Sequence, residues 1–174
     1  MAARLPYVER DQAPPEVQEV YDKAQKAMGR VSNLFKLMAH HARSLPGFFA
    51  WYPTLREGAL DIKLRQLAYV KASQLNGCHY RATHNAALGQ RVGVPREKFD
   101  ALPQYETSPL FSSLERLVIR YAEQMTKKVR VDSELVEELT RALSPEALMQ
   151  LTLSIAAANF TNRVNEAMGT ELEH

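Results

Sequence analysis

Cys78 is the only cysteine of the chain, and it stands between an Asn76-Gly77 turn signal and a run that reads as the start of a helix. A thiol in the first turn of a helix lies among backbone N–H groups at the positive end of the helix dipole, which favours the thiolate. Arg81 follows one helical turn later, where a guanidinium supports a thiolate and offers two parallel N–H donors to a carboxylate or enolate oxygen. A helix turning about 100° per residue brings Asn85 nearly over Cys78 and leaves His84 about a third of a turn away. Three plainer roles stand beside these: Cys78 as a small buried hydrophobe, Arg81 in an ion pair with an acid such as Glu57, and His84 bonded within the helix packing.

The elements that must position these residues all read as helices. Residues 1–12 show no periodicity and form an N-terminal arm, of a kind that often packs on a neighbouring subunit, and Pro14-Pro15 opens a helix to about Met28. Ser32 or Asn33 caps a segment carrying Leu34, Phe35, Leu37 and Met38, and Pro46 starts another with Phe48, Phe49, Trp51 and Tyr52 that Pro53 should kink. Asp61 caps the helix whose Leu64, Leu67, Ala68, Ala72 and Leu75 form an apolar stripe. The helix from Cys78 runs to about Arg91 and stops at Gly93, with Pro95 beyond, and Pro103 and Ser108-Pro109 bracket a connecting loop. Helical spacing resumes at Ser108; Asp132 caps a shorter helix, and Ser144-Pro145-Glu146 starts a last, nearly all-apolar one to about Met168. Asn162 and Arg163 interrupt that helix and suit a subunit interface or a helix end. No period-2 run occurs, so the expected fold is all-α, about eight helices in one domain spanning residues 1–174.

Composition narrows the partners. A net charge of +2 and 45 % hydrophobic residues give no reason to expect nucleic acid or a membrane surface; the short basic group Lys127, Lys128 and Arg130 reads as a solvated helix end. The apolar stretch 147–160 is interrupted by Gln150, Thr152, Ser154 and Asn159, short of the ~20 residues of a membrane span. A single cysteine and no apparent signal segment point to the cytoplasm. The final Leu172-Glu173-His174 matches the start of an expression-tag scar and carries no weight.

The run L-R-Q-L-A-Y-V-K-A-S-Q-L-N-G-C-H-Y-R-A-T-H-N-A-A-L, with the earlier N-L-F-K-L-M-A-H-H and the closing N-F-T-N-R-V-N-E-A-M-G, resembles the carboxymuconolactone decarboxylase and AhpD-like alkylhydroperoxidase superfamily. The resemblance implies an all-α subunit that assembles into homotrimers or homohexamers, and it places His40 and His41 near the pocket. The peroxidase branch uses Cys-x-x-Cys-x-x-x-His with a glutamate twelve residues before the first cysteine. Here the cysteine matches Cys78, while the other positions hold Arg81, Asn85 and Gln66. Arg81 cannot resolve a sulfenic acid and Gln66 cannot act as a carboxylate base. In the decarboxylase branch a Tyr-Glu-Trp-type sequence precedes the histidine; Tyr80 matches the tyrosine and Arg81 replaces the glutamate.

These readings lead to a cofactor-independent, metal-free enzyme acting on a small anionic or carbonyl compound by lyase- or isomerase-type acid–base chemistry. Cys78 and His84 would move protons and Arg81 would hold an oxyanion, with Gln66, Tyr80, Asn85, Trp51, Tyr52, His40 and His41 around the substrate. Two alternatives are a single-cysteine alkylhydroperoxidase regenerated by an external thiol and a non-catalytic oligomeric binding protein.

Overall fold

The structure, a computed structural model, describes residues 2–173. His174, the end of the suspected tag remnant, lies outside them. Among the described residues there are nine α-helices and no strands. They form two compact units, Met1–Thr54 with Val164–His174 and Leu55–Arg163.

In the first unit, α1 (Pro15–Met28) has Pro15 at its first position and ends at Gly29, whose φ of 74° lies where glycine is favoured. Its buried Val17, Val20, Tyr21 and Ala24 form the inner face, and the helix packs on α3 (Ser44–Trp51). Between them, α2 (Asn33–Met38) is capped by Ser32, whose Oγ accepts from Phe35 N at 3.4 Å. The N-terminal arm bonds along its own unit. Val8 N donates to Lys36 O at 3.3 Å, Tyr21 Oη donates to Val8 O at 2.9 Å, and Arg4 N donates to Met168 O at 2.9 Å. Pro46 falls within the first turn of α3 rather than starting it, and Pro53 follows the helix end in a 3-10 turn, Tyr52–Arg56, so the chain tightens there instead of kinking.

In the second unit, α4 (Ile62–Leu75) is the central element. Every residue from Leu64 to Ser73 is buried, and its main packing partners are α5 (His79–Arg91) and α7 (Ser113–Lys127). Asp61 Oδ1 caps it by accepting from Lys63 N at 2.8 Å. Leu67 and Val70 meet Val94, Phe99, Leu102, Tyr105, Phe111 and Ile119 in one apolar core. Phe99 comes from α6 (Arg96–Asp100), a short helix between Pro95 and Pro103 that the sequence reading does not include. Its ring lies so close to Gly89 that a Cβ there would fall 2.3 Å from Phe99 Cζ.

The sequence expectation for α7 begins too early: the helix starts at Ser113, where Ser112 and Glu115 form a reciprocal capping box, and Phe111 enters the core from the preceding loop. Asp132 precedes α8 (Ser133–Ala142), but its carboxylate accepts from Gln124 Nε2 at 2.6 Å instead of capping. The last helix, α9 (Pro145–Met168), has the expected limits.

Between α4 and α7, the buried Lys71 donates to Leu102 O at 3.2 Å, lies 3.7 Å from Glu123, and sits 4.7 Å from the centre of the Tyr105 ring. Burial lowers the Lys71 pKa, partly offset by the charge of Glu123. Burial pushes Glu123 upward, yet bonds from Lys127 and Tyr105 and the charge of Lys71 leave it below the ordinary carboxylate range.

Two outcomes are expected. Gly89→Ala forces its methyl group into Phe99, so urea denaturation should show a loss of about 1–3 kcal/mol. A carboxylate with a depressed folded pKa contributes stability that is present above its unfolded pKa and lost as pH falls through the folded value. The melting temperature should therefore drop between about pH 5 and pH 3, with a shallower drop in Glu123→Gln.

Candidate functional site

The backbone that ends α4 also places the thiol. Gly77, at φ 66°, lets the chain reverse; its N–H bonds Gln74 O at 3.0 Å, and the Cys78 N–H bonds Ser73 O at 2.9 Å. Those two bonds constitute a Schellman closure. Cys78 is at the same time the N-cap residue of α5, where its carbonyl accepts from Ala82 N at 3.0 Å. Its side chain is buried, with 1 % of the residue exposed.

Around this junction lies a buried polar line. Arg65, Tyr69 and Ser73 occupy positions i, i+4 and i+8 of α4 and are all fully buried. Arg65 Nε donates to Leu55 O at 2.9 Å and to Ser154 Oγ at 3.2 Å, and Arg65 Nη1 donates to Gln66 Oε1 at 2.5 Å. Gln66 Nε2 continues to Asn85 O at 2.9 Å, and Asn85 Nδ2 donates to Arg81 O at 3.0 Å. Arg81 Nη2 donates to Tyr69 Oη at 2.9 Å. The two guanidinium carbons lie 5.1 Å (Arg65) and 5.3 Å (Arg81) from the centre of the Tyr69 ring. Thr161 Oγ1 donates to Ala157 O at 2.9 Å, so in the 2.8 Å contact between the hydroxyls of Tyr69 and Thr161 the tyrosine is the donor. Ser73 Oγ reaches Tyr69 O at 2.9 Å and Asn162 Oδ1 at 3.3 Å.

Of the residues singled out from sequence, Gln66, Arg81 and Asn85 thus belong to one hydrogen-bonded chain, with the Cys78 backbone joined to it through Ser73. Tyr80 and His84 meet each other: their rings come edge-on at 4.4 Å, and His84 Nδ1 lies 3.0 Å from Tyr80 O. That contact assigns the hydrogen to Nδ1 in the neutral ring and makes Nε2 its lone-pair nitrogen. Arg65, Tyr69 and Thr161 were not singled out. The signal available for the first two was the polar i, i+4, i+8 spacing inside an otherwise apolar helix.

Trp51, Tyr52, His40 and His41 belong to the other unit. Tyr52 stacks on Phe48 at 5.1 Å, and Trp51 meets the same ring edge-on at 6.5 Å. His40 Nε2 is 2.8 Å from Pro6 O, and His41 O accepts from Ser44 Oγ at 3.0 Å. This unit also has a cleft of about 650 Å³ between the N-terminal arm, α1 and the C-terminal segment. Its charges are paired within it: Arg10 with Asp22 at 2.7 Å, Lys36 with Glu9 at 2.8 Å and Arg30 with Glu173 at 3.8 Å. Among the described residues no three His, Cys, Asp or Glu side chains converge to hold a metal, and no helix is long and apolar enough to cross a membrane.

An all-α chain with a lone thiol at a helix junction, backed by a buried arginine–tyrosine network, defines a class of small helical domain that comparison places directly. The chain belongs to the carboxymuconolactone decarboxylase and AhpD-like superfamily: the profile of the carboxymuconolactone decarboxylase family matches residues 47–124. The uncharacterized protein YnjA of Escherichia coli (strain K12) is 30 % identical over 142 residues, 80 % of this chain and 73 % of that protein. Among solved structures, the debrominase Bmp8, in a cysteine-to-alanine variant complexed with 2,3,4-tribromopyrrole, superposes with a TM-score of 0.84 at 23 % identity over 99 % of this chain and 93 % of that one. An AhpD-core, peroxidase-related protein from Ralstonia eutropha JMP134 gives 0.86 at 21 % identity over 98 % and 92 %. At such identities the structures establish the fold.

Tyr69→Phe removes the hydroxyl that accepts from Arg81 and donates to Thr161. Denaturation should show a loss of about 1–3 kcal/mol, more than an exposed Tyr→Phe change costs.

Proposed function

We propose that this protein is a cofactor-independent enzyme in which Cys78 is the reacting group toward a small organic substrate, with an external thiol completing each cycle. The observation that carries this reading is how the polar side chains near the thiol are used. Gln66 bonds Arg65 and Asn85, Asn85 bonds Arg81 O, and Arg81 bonds Tyr69. Gln66, Arg81 and Asn85, on which acid–base lyase chemistry would draw, are therefore engaged in protein hydrogen bonds, which weighs toward sulfur chemistry at Cys78.

With a hydroperoxide, a Cys78 thiolate attacks the distal oxygen, the S–O bond forms as the O–O bond breaks, and the alkoxide leaves as alcohol after taking a proton. The chain has no second cysteine, so one external thiol displaces water from the sulfenic acid and a second releases Cys78 as the external disulfide departs. The debrominase among the structural neighbours supports a second substrate class, a brominated ring. With such a ring the Cys78 thiolate would take the bromine as the ring carbon takes a proton, one external thiol would displace bromide from the sulfur to leave a mixed disulfide, and a second would release Cys78 as the external disulfide departs. This chemistry calls for a reducing compartment, in keeping with a cytoplasmic location, and the family supports a homo-oligomer.

The test is turnover of an organic hydroperoxide and of a bromopyrrole with an external thiol, read by intact mass and product analysis. Wild type should exceed the free-thiol rate by ~100-fold or more with at least one class, and Cys78→Ser should abolish it. Rates no better than free thiol with both classes would overturn the reading. Turnover of a carboxylate or lactone that survives Cys78→Ser but is lost in Arg81→Ala would establish acid–base chemistry instead.

A further inference from the structure

After its first residue, Pro145, the exposed residues of α9 within the second unit form a single narrow line: Glu146, Met149, Leu153, Ala156, Phe160 and Arg163. Their successive spacings alternate three and four, the heptad rhythm of a helix seam. The line is apolar between its charged ends, with Met149 57 %, Leu153 39 % and Phe160 49 % exposed. It is bounded on both sides. Thr152 and Asn159 bond Tyr121 at 2.8 Å and Thr126 at 3.2 Å on one flank, and the buried Gln150 and Ala157 lie on the other.

The order of residue types along this line is a palindrome in chemistry. About a point between Leu153 and Ala156, an antiparallel copy of the same helix sets large against small, Leu153 on Ala156. It sets Met149 on Phe160, a sulfur–aromatic contact, and the Glu146 carboxylate against the Arg163 guanidinium. Arg163 donates through Nη1 to Asn159 O at 3.0 Å and Asn159 Oδ1 at 2.8 Å, which holds its stem along the helix. A parallel copy would instead set Glu146 on Glu146 and Arg163 on Arg163, a like-charge repulsion at both ends. The small Ala156 at the centre permits close approach of the axes, about 8–10 Å.

We propose that this face is a two-fold contact with a second copy of the same chain, α9 packed antiparallel on α9 through Met149, Leu153, Ala156 and Phe160. Each contact at a two-fold interface occurs twice, so both Glu146–Arg163 pairs form together. A two-fold contact gives assemblies with an even number of subunits, and a simple trimer lacks it.

Sedimentation of the full chain at micromolar concentration, with far-UV circular dichroism to verify folding, tests this directly. Wild type should be an even-numbered oligomer, and Leu153→Glu should lower its mass while remaining helical, since the substituted side chain starts on the surface. Glu146→Arg and Arg163→Glu should each weaken association by about tenfold or more, and the two together should restore it. A wild-type monomer or trimer overturns the proposal, as does a folded Leu153→Glu variant of unchanged mass. Failure of the combined charge exchange to recover what each single change loses overturns the antiparallel arrangement, and that result decides the matter even if Leu153→Glu does not fold.

Discussion

A helix with no solvent face that nevertheless carries arginine, glutamine, tyrosine and serine sets the terms for the Leu55–Arg163 unit. Leaving water is expensive for a guanidinium, and the interior tolerates one only where its N–H groups find acceptors. For Arg65 those acceptors are a backbone carbonyl in the strap before α4, a serine on α9 and the neighbouring glutamine. The same glutamine reaches α5, and Tyr69 ties α5 to α9 through Arg81 and Thr161. Apolar contact alone would let these helices slide; directional bonds to fixed acceptors do not. On another side of α4, Lys71 performs a comparable task toward α7 through Tyr105 and Glu123. The helix works as a polar spine inside an apolar unit.

That arrangement separates two kinds of residue that look alike in the sequence. Gln66, Arg81 and Asn85 stand out in the sequence as candidate site residues, yet here they bond chiefly to one another, to Arg65 and to Tyr69. Cys78 is held differently, by its main chain. Ser73 is where the two meet: its carbonyl accepts from the Cys78 amide while its hydroxyl bonds Tyr69 O.

Much of the fold was legible because its boundaries are written in local chemistry. Pro15, Ser32, Asp61, Gly77 and the Pro145 start each act within one turn, so neighbouring residues sufficed to place them. The errors fall where distant partners decide. The α6 helix is only five residues long and is held by a single inward phenylalanine against Gly89, a contact no local pattern announces. Phe111 fits the helical spacing but enters the core from a loop, and the Ser112–Glu115 box resets the start of α7. In the candidate site, the helix-start position of Cys78 could be read from Asn76-Gly77. The direction of Arg81 could not, because it is set by Tyr69, twelve positions earlier and on another helix.

The closure around Gly77 carries one more implication. The amide of Cys78 finishes α4 and its carbonyl begins α5, with only Asn76, Gly77 and Cys78 itself between the two helices. An insertion or deletion here would break one set of bonds or the other, so this stretch can drift in side chains but not in length. Alignments of related chains should run through it without gaps. The junction acts as a socket of fixed length, one helix ending on the amide and the next beginning on the carbonyl of a single residue, Cys78.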